Sequence, residues 1–238
     1  MKIREITLFT NQLTEQLYFY KKTLALEILR NSIRNFTFQV GFTKVTFEAS
    51  EQKHIYHYCF LIPSNQLEAA IKWLSNRLDI IKIEGERIIE HSENWNADSV
   101  YFYDGAGNIV EFIVRYDLKN KPKNESKEKK FDASQILCVN EIGMPTKNIA
   151  ELNENLETEL HSKFWKGDLR CFGTNGTQEG LFLLVNNEIK KEWFPTDLKT
   201  ESSPFYGIFE VENYLYAMQF KKEKMILFDK KIKEDSDF

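Results

Sequence analysis

The chain runs to 238 residues, 42% of them hydrophobic and 14% aromatic, with 29% charged and a formal net charge of −4. That much apolar side chain can fill a core, which excludes a disordered chain. A balance so close to neutral argues against nucleic acid as the main partner, because phosphate binding needs a basic surface.

The opening MKIREITLFT enters an alternating, strand-like pattern with no charged-then-apolar leader, and no stretch approaches the roughly 20 apolar residues of a membrane span. Cys59, Cys138 and Cys171 are odd in number and lie far apart in apolar runs. They read as buried free thiols of a reducing compartment. The expected location is the cytoplasm, with no membrane partner.

In chain order, KIREITLF alternates with period two, and Leu13, Leu17, Tyr20 and Leu24 then recur at helical spacing. LEILR, FTFQV and KVTFEA follow as short strands. HYCFLIP reads as a strand ending at Pro63, with Ser64 as the N-cap of a helix whose stripe is Leu67, Ala70, Ile71, Leu74 and Leu78. IIKIEGERIIE, SVYFYD and NIVEFIVR complete three more strands, with GAG turning between the last two. The order βαβββ thus occurs twice. A helix followed by three strands predicts an α+β fold with curled, mixed sheets rather than an alternating parallel one.

The lysine-rich DLKNKPKNESKEKKFDAS, residues 117–134, predicts a charged linker between a domain over 1–116 and a second over 135–238. The second half repeats the opening of the first: Glu5-Ile6-Thr7-Leu8 aligns with Glu141-Ile142-Gly143-Met144, and a helix follows both. Such self-similarity signals duplication. The copy is truncated and degenerate, since only a short segment separates YGIFEVE from MILFDKK. Tyr206 falls where the first half has His57, and Leu227 where it has Glu111. The second half is therefore expected to be structural or pocket-covering, with no acid–base or metal site.

REITLFTNQLTEQLYFYKKTLALEI, HIYHYCFLIP and the closing hairpin VYFYDGAGNIVEFIVR resemble the vicinal-oxygen-chelate superfamily of glyoxalases, bleomycin-resistance proteins and extradiol dioxygenases. The resemblance implies tandem glyoxalase-like domains of βαβββ modules, with the site on the concave face of a curled sheet. Metal ligands in the family come from the first, fourth, fifth and last strands of such a domain. Those positions here point to Glu5, His57 and Glu111 as metal ligands, Glu5 standing where the family commonly has histidine. Glu48 is the nearest candidate on the fourth strand and, with Glu111, a candidate catalytic carboxylate. The implied cofactor is one divalent ion (manganese, iron, zinc or nickel).

The residues support this reading in part. Glu111 sits in the apolar run NIVEFIV, where a carboxylate is costly unless paired. His54 and His57 are three apart on a strand and face opposite sides. The resemblance selects His57. Trp95, Asn96, Tyr101 and Arg115 are candidates for substrate binding at a cleft mouth, Arg115 also as a partner for Glu111 or for an anionic ligand. The expected partner is a small oxygen-bearing molecule, and a monomer is favoured over a homodimer. Two functions follow: a metal-dependent lyase, isomerase or ring-cleaving dioxygenase, or a non-catalytic, metal-free binder of the bleomycin-resistance kind.

Overall fold

The computed structural model describes residues 1–121 and 130–233, so 122–129 of the charged segment 117–134 lie outside the described residues. Four successive modules are laid out along the chain. The first comprises β1 (Lys2–Thr10), α1 (Leu13–Tyr18, continued by a π-helical turn over Phe19–Thr23), β2 (Ile28–Asn31), β3 (Asn35–Val40) and β4 (Thr43–Ala49). The second has β5 (His57–Leu61), α2 (Leu67–Ser75), β6 (Glu90–Ser92), β7 (Ala97–Tyr103) and β8 (Ile109–Arg115). The third has β9 (Cys138–Thr146), α3 (Ile149–Glu159), β10 (Phe164–Gly167), β11 (Phe172–Thr177) and β12 (Gly180–Asn186). The fourth lacks a helix and is a meander of β13 (Phe205–Val211), β14 (Tyr214–Lys221) and β15 (Lys224–Ile232). The expected α+β class and curled mixed sheets are present.

The modules join in pairs that cross the middle of the chain. β1 pairs antiparallel with β13, giving a seven-stranded sheet of the first and fourth modules; β5 pairs antiparallel with β9, giving an eight-stranded sheet of the second and third. Within each full module the first and last strands pair in parallel. Period-two alternation then decides the faces. Phe36, Phe38, Val45 and Phe47 of one sheet and Tyr58, Phe60, Val110 and Phe112 of the other belong to one continuous buried cluster, shared with Leu67 and Leu74 of α2 and Leu152 and Leu156 of α3. Each sheet therefore turns its opposite face outward.

A buried knot holds α1 to the β7–β8 turn. Asp104 accepts from Gln16 Nε2 at 2.7 Å, Tyr58 Oη at 2.7 Å and Asn108 Nδ2 at 2.8 Å, and its other oxygen accepts from the Ala106 and Asn108 amides. The DGAGN of the closing hairpin is thus a packing device. A Cβ at Gly105 would come 2.4 Å from the Glu15 carbonyl oxygen, so only glycine lets the helix approach the turn.

Two local expectations change. Helix α2 begins at Leu67 with Gln66 preceding it, so Ser64 is not its cap. The strand expected over 80–90 shrinks to a bridge at Ile80 and to β6, which begins at Glu90. Lys82, Glu84, Glu86 and Arg87 are instead paired among themselves in a solvated turn. Such local ion pairs satisfy charges that a strand would have spread over both faces.

Candidate functional site

On the outward face of the eight-stranded sheet, β5 lies between β8 and β9, and Cys59 is opposite Glu111 on one side and Glu141 on the other. Strands stand about 4.8 Å apart, so side chains from the two flanking strands can converge over the middle one. His57, two residues back on the same face of β5, completes the group. Ligand-capable atoms of His57, Glu111 and Glu141 lie within 4.8 Å of one another. All three are buried, at 5%, 4% and 6% exposure.

A bulge in β9 shapes the site. The register shifts between the Cys59–Glu141 and Phe60–Val139 pairs, leaving Asn140 as the extra residue. Asn140 and Glu141 can then both meet Arg115, which is fully buried at the end of β8. The guanidinium donates Nε to Asn140 Oδ1 at 2.9 Å and Nη2 to a Glu141 oxygen, while its Nη1 finds no hydrogen-bond partner among the described residues. Burial pushes the Glu141 carboxyl up to about 7; Arg115 opposes the rise, and Glu111 adds to it. Burial foremost, then Glu111 and Glu141, also push the Cys59 thiol up, which keeps it a neutral floor to the site.

A cavity of ≈ 230 Å³ opens above these groups. Trp95, Tyr101, Phe172, Trp193 and Phe194 form its aromatic lining, and the partly exposed Lys190 also lines it. Trp193 comes from the segment joining β12 to β13, and its ring centroid lies 5.0 Å from that of His57. Tyr101 faces His57 from the other side at 6.3 Å.

Of the residues singled out by sequence, His57, Glu111, Trp95, Tyr101 and Arg115 line this cavity. Glu5 does not join them. It lies on β1 in the other sheet, with its side chain 39% exposed and paired 3.2 Å from Lys44. Glu48 is exposed on β4 of that sheet, opposite Phe9. Asn96 turns away, adopting φ 44° and donating Nδ2 to Asp117 at 2.6 Å. The reason for the first two is module pairing: β1 borders β13, where Tyr206 lies in the position that His57 has on β5. The half 135–238, expected to be structural or pocket-covering without an acid–base or metal site, covers the cavity with Trp193 and also brings Glu141 to it. Glu141 was legible as the repeat partner of Glu5; Trp193 carried no signal, because its approach to His57 is set by a long connection.

No family model and no curated protein sequence matches the chain. Solved structures do. A Bacillus subtilis protein described as a dioxygenase superimposes with a TM-score of 0.57 at 13% identity, covering 92% of this chain and 82% of its own. Lactoylglutathione lyase from Agrobacterium tumefaciens matches at TM-score 0.38 and 19% identity, covering 47% of this chain and 92% of its own. A glyoxalase/bleomycin resistance protein/dioxygenase from Nocardioides matches at 0.39 and 15%, over 52% and 89%. With two curled sheets, one of two βαβββ modules and one of a βαβββ module and a three-stranded meander, the chain has the vicinal-oxygen-chelate fold, and in the tandem form. No helix among the described residues is long and apolar enough to cross a membrane.

Proposed function

We propose that the chain binds one divalent metal ion through His57, Glu111 and Glu141 and acts on a small oxygen-bearing molecule in the cavity above them. The observation that carries this is the state of Glu111. Its carboxylate is almost fully buried, no described donor hydrogen-bonds it, and the His57 Nε2 at 3.4 Å is a long contact. Two buried carboxylates face a single guanidinium, so with His57 neutral, the form that can hold a metal, and both carboxyls ionised, one negative charge lacks a counter-charge in a low-dielectric site. A divalent cation would offset it. One imidazole and two carboxylates form a mixed nitrogen–oxygen donor set suited to manganese, iron, zinc or nickel, with positions left open for a ligand.

An ion bound there supplies Lewis-acid polarisation of substrate oxygens. The protein's own groups do the rest. Arg115 holds the Glu141 carboxylate in place, and Trp193 and Tyr101 fix the imidazole plane and keep water from it. Glu111, lacking donors of its own, is the group best placed to take or return a proton at the ligand. Isomerase, lyase and ring-cleaving chemistry all fit such a site, and the fold does not choose among them.

The Arg115–Glu141 pair favours one other reading, a metal-free binding protein, because it already employs one of the carboxylates. Elemental analysis of untagged protein purified without chelator, beside His57→Ala, decides between them. Stoichiometric metal that vanishes in the variant supports the metal site. No metal in either protein, after incubation with manganese and with the fold intact by circular dichroism, leaves the binding protein as the account.

A further inference from the structure

The cavity holds two buried donors that lack acceptors. Arg115 Nη1 and Trp193 Nε1 find no hydrogen-bond partner among the described residues, in residues that are 0% and 3% exposed. Both groups are donors only, since neither a guanidinium nor an indole N–H can accept. Leaving such a group unpaired in the interior is costly. Both residues line the same cavity.

Their spacing follows from β9. Arg115 is bonded to Glu141, and Trp193 lies against Gly143, on the same face of the strand two residues on. The two side chains therefore lie against positions about 7 Å apart along the β9 backbone. Lys190 adds a second cation to the lining, its Nζ 5.6 Å from the Phe172 ring centroid. Glu90, the acidic residue lining the rim, is paired with Arg87 at 3.2 Å. The part of the cavity that holds Arg115 Nη1 and Trp193 Nε1 thus offers free donors, and it lies beside the carboxylates of Glu111 and Glu141.

From this we infer that the ligand is a small organic acid: its carboxylate accepts from Arg115 Nη1, and a second oxygen accepts from Trp193 Nε1. This rests on the cavity being the ligand site but not on a metal being bound. Arg115 is suited to the first task because its Nε and Nη2 are already fixed by Asn140 and Glu141, so its remaining edge is held in one orientation. Trp193 is suited to the second because its ring is clamped between His57 and the bare backbone of Gly143.

Calorimetric titration with salicylate, benzoate and benzamide tests this, on full-length protein treated with EDTA and again after loading with manganese. Salicylate and benzoate should bind saturably, and benzamide, the neutral relative of benzoate, at least tenfold more weakly than benzoate. Trp193→Phe keeps the ring and removes the N–H, and should weaken salicylate about tenfold while changing benzoate less. Arg115→Lys keeps a charge beside Glu141 and should weaken both acids about tenfold. Equal affinity for acid and amide, or no saturable heat from either acid at millimolar concentration, overturns the inference. So do affinities unchanged in both variants. Manganese binding without acid binding sinks this inference alone, whereas acid binding without any metal sinks the metal reading alone.

Discussion

The indole of Trp193 occupies the space that a side chain at residue 143 would take: a Cβ on Gly143 would come 2.6 Å from the ring. The glycine is not needed for its backbone angles, since its φ is not in the left-handed region. It is needed because a bulky ring from a distant loop must lie flat on the strand beside His57. Gly143→Ala should lift Trp193 off the sheet, cost about 1–3 kcal/mol through overpacking, and shift the tryptophan emission to the red. Urea unfolding followed by fluorescence would show both, and an unchanged spectrum would mean that the ring does not roof the cavity.

Glu141 and Glu5 are repeat partners with opposite surroundings. Glu141→Gln should abolish stoichiometric manganese binding, whereas Glu5→Gln should leave it unchanged and alter stability by well under 1 kcal/mol, as expected for an exposed pair. Equal loss in both variants would return Glu5 to the site.

Asp104 accepts hydrogen bonds on both oxygens deep in the core, so an amide there turns one acceptor into a donor facing other donors. Asp104→Asn should destabilise the protein by about 1–3 kcal/mol without changing ligand affinity per folded molecule. Thermal unfolding and calorimetry together separate the two effects. Near-normal stability would mean that the knot between α1 and the β7–β8 turn contributes little.

The raised Glu141 carboxyl has a pH consequence. Its folded value, about 7, lies above the ordinary 4.5, so the folded chain holds more protons than the unfolded chain between those limits. Metal-free protein should therefore lose stability as pH rises through this window, and Glu141→Gln should flatten that part of the profile. Manganese affinity should rise over the same interval, because the ion competes with that proton. Chemical denaturation at stepped pH, with and without EDTA, would reveal a slope of the opposite sign if Arg115 instead held the carboxylate ionised.

Much of this was written locally. Alternation in KIREITLF and NIVEFIVR placed strands and faces, helical spacing at Leu67, Ala70 and Leu74 placed α2, and the polar residue in the apolar NIVEFIV marked Glu111. These signals are periods of two or 3.6 residues, and a period is carried by neighbours in the chain. The segment over 80–90 misled because its isoleucines mimic a strand, while its charges find partners within a few residues of one another.

What the sequence alone determined is the series of βαβββ modules, their repeat and the identity of the polar residues on each strand face. What only the tertiary structure decided is which modules meet. β1, β5, β9 and β13 each read only as a strand, and backbone hydrogen bonds between strands do not depend on the side chains that identify a partner. Pairing β5 with β9 rather than with β1 brought Glu141 to His57 and left Glu5 at the surface. The same long-range choice fixed the ends of the 187–204 connection and so laid Trp193 over Gly143, a contact between residues that no local pattern links.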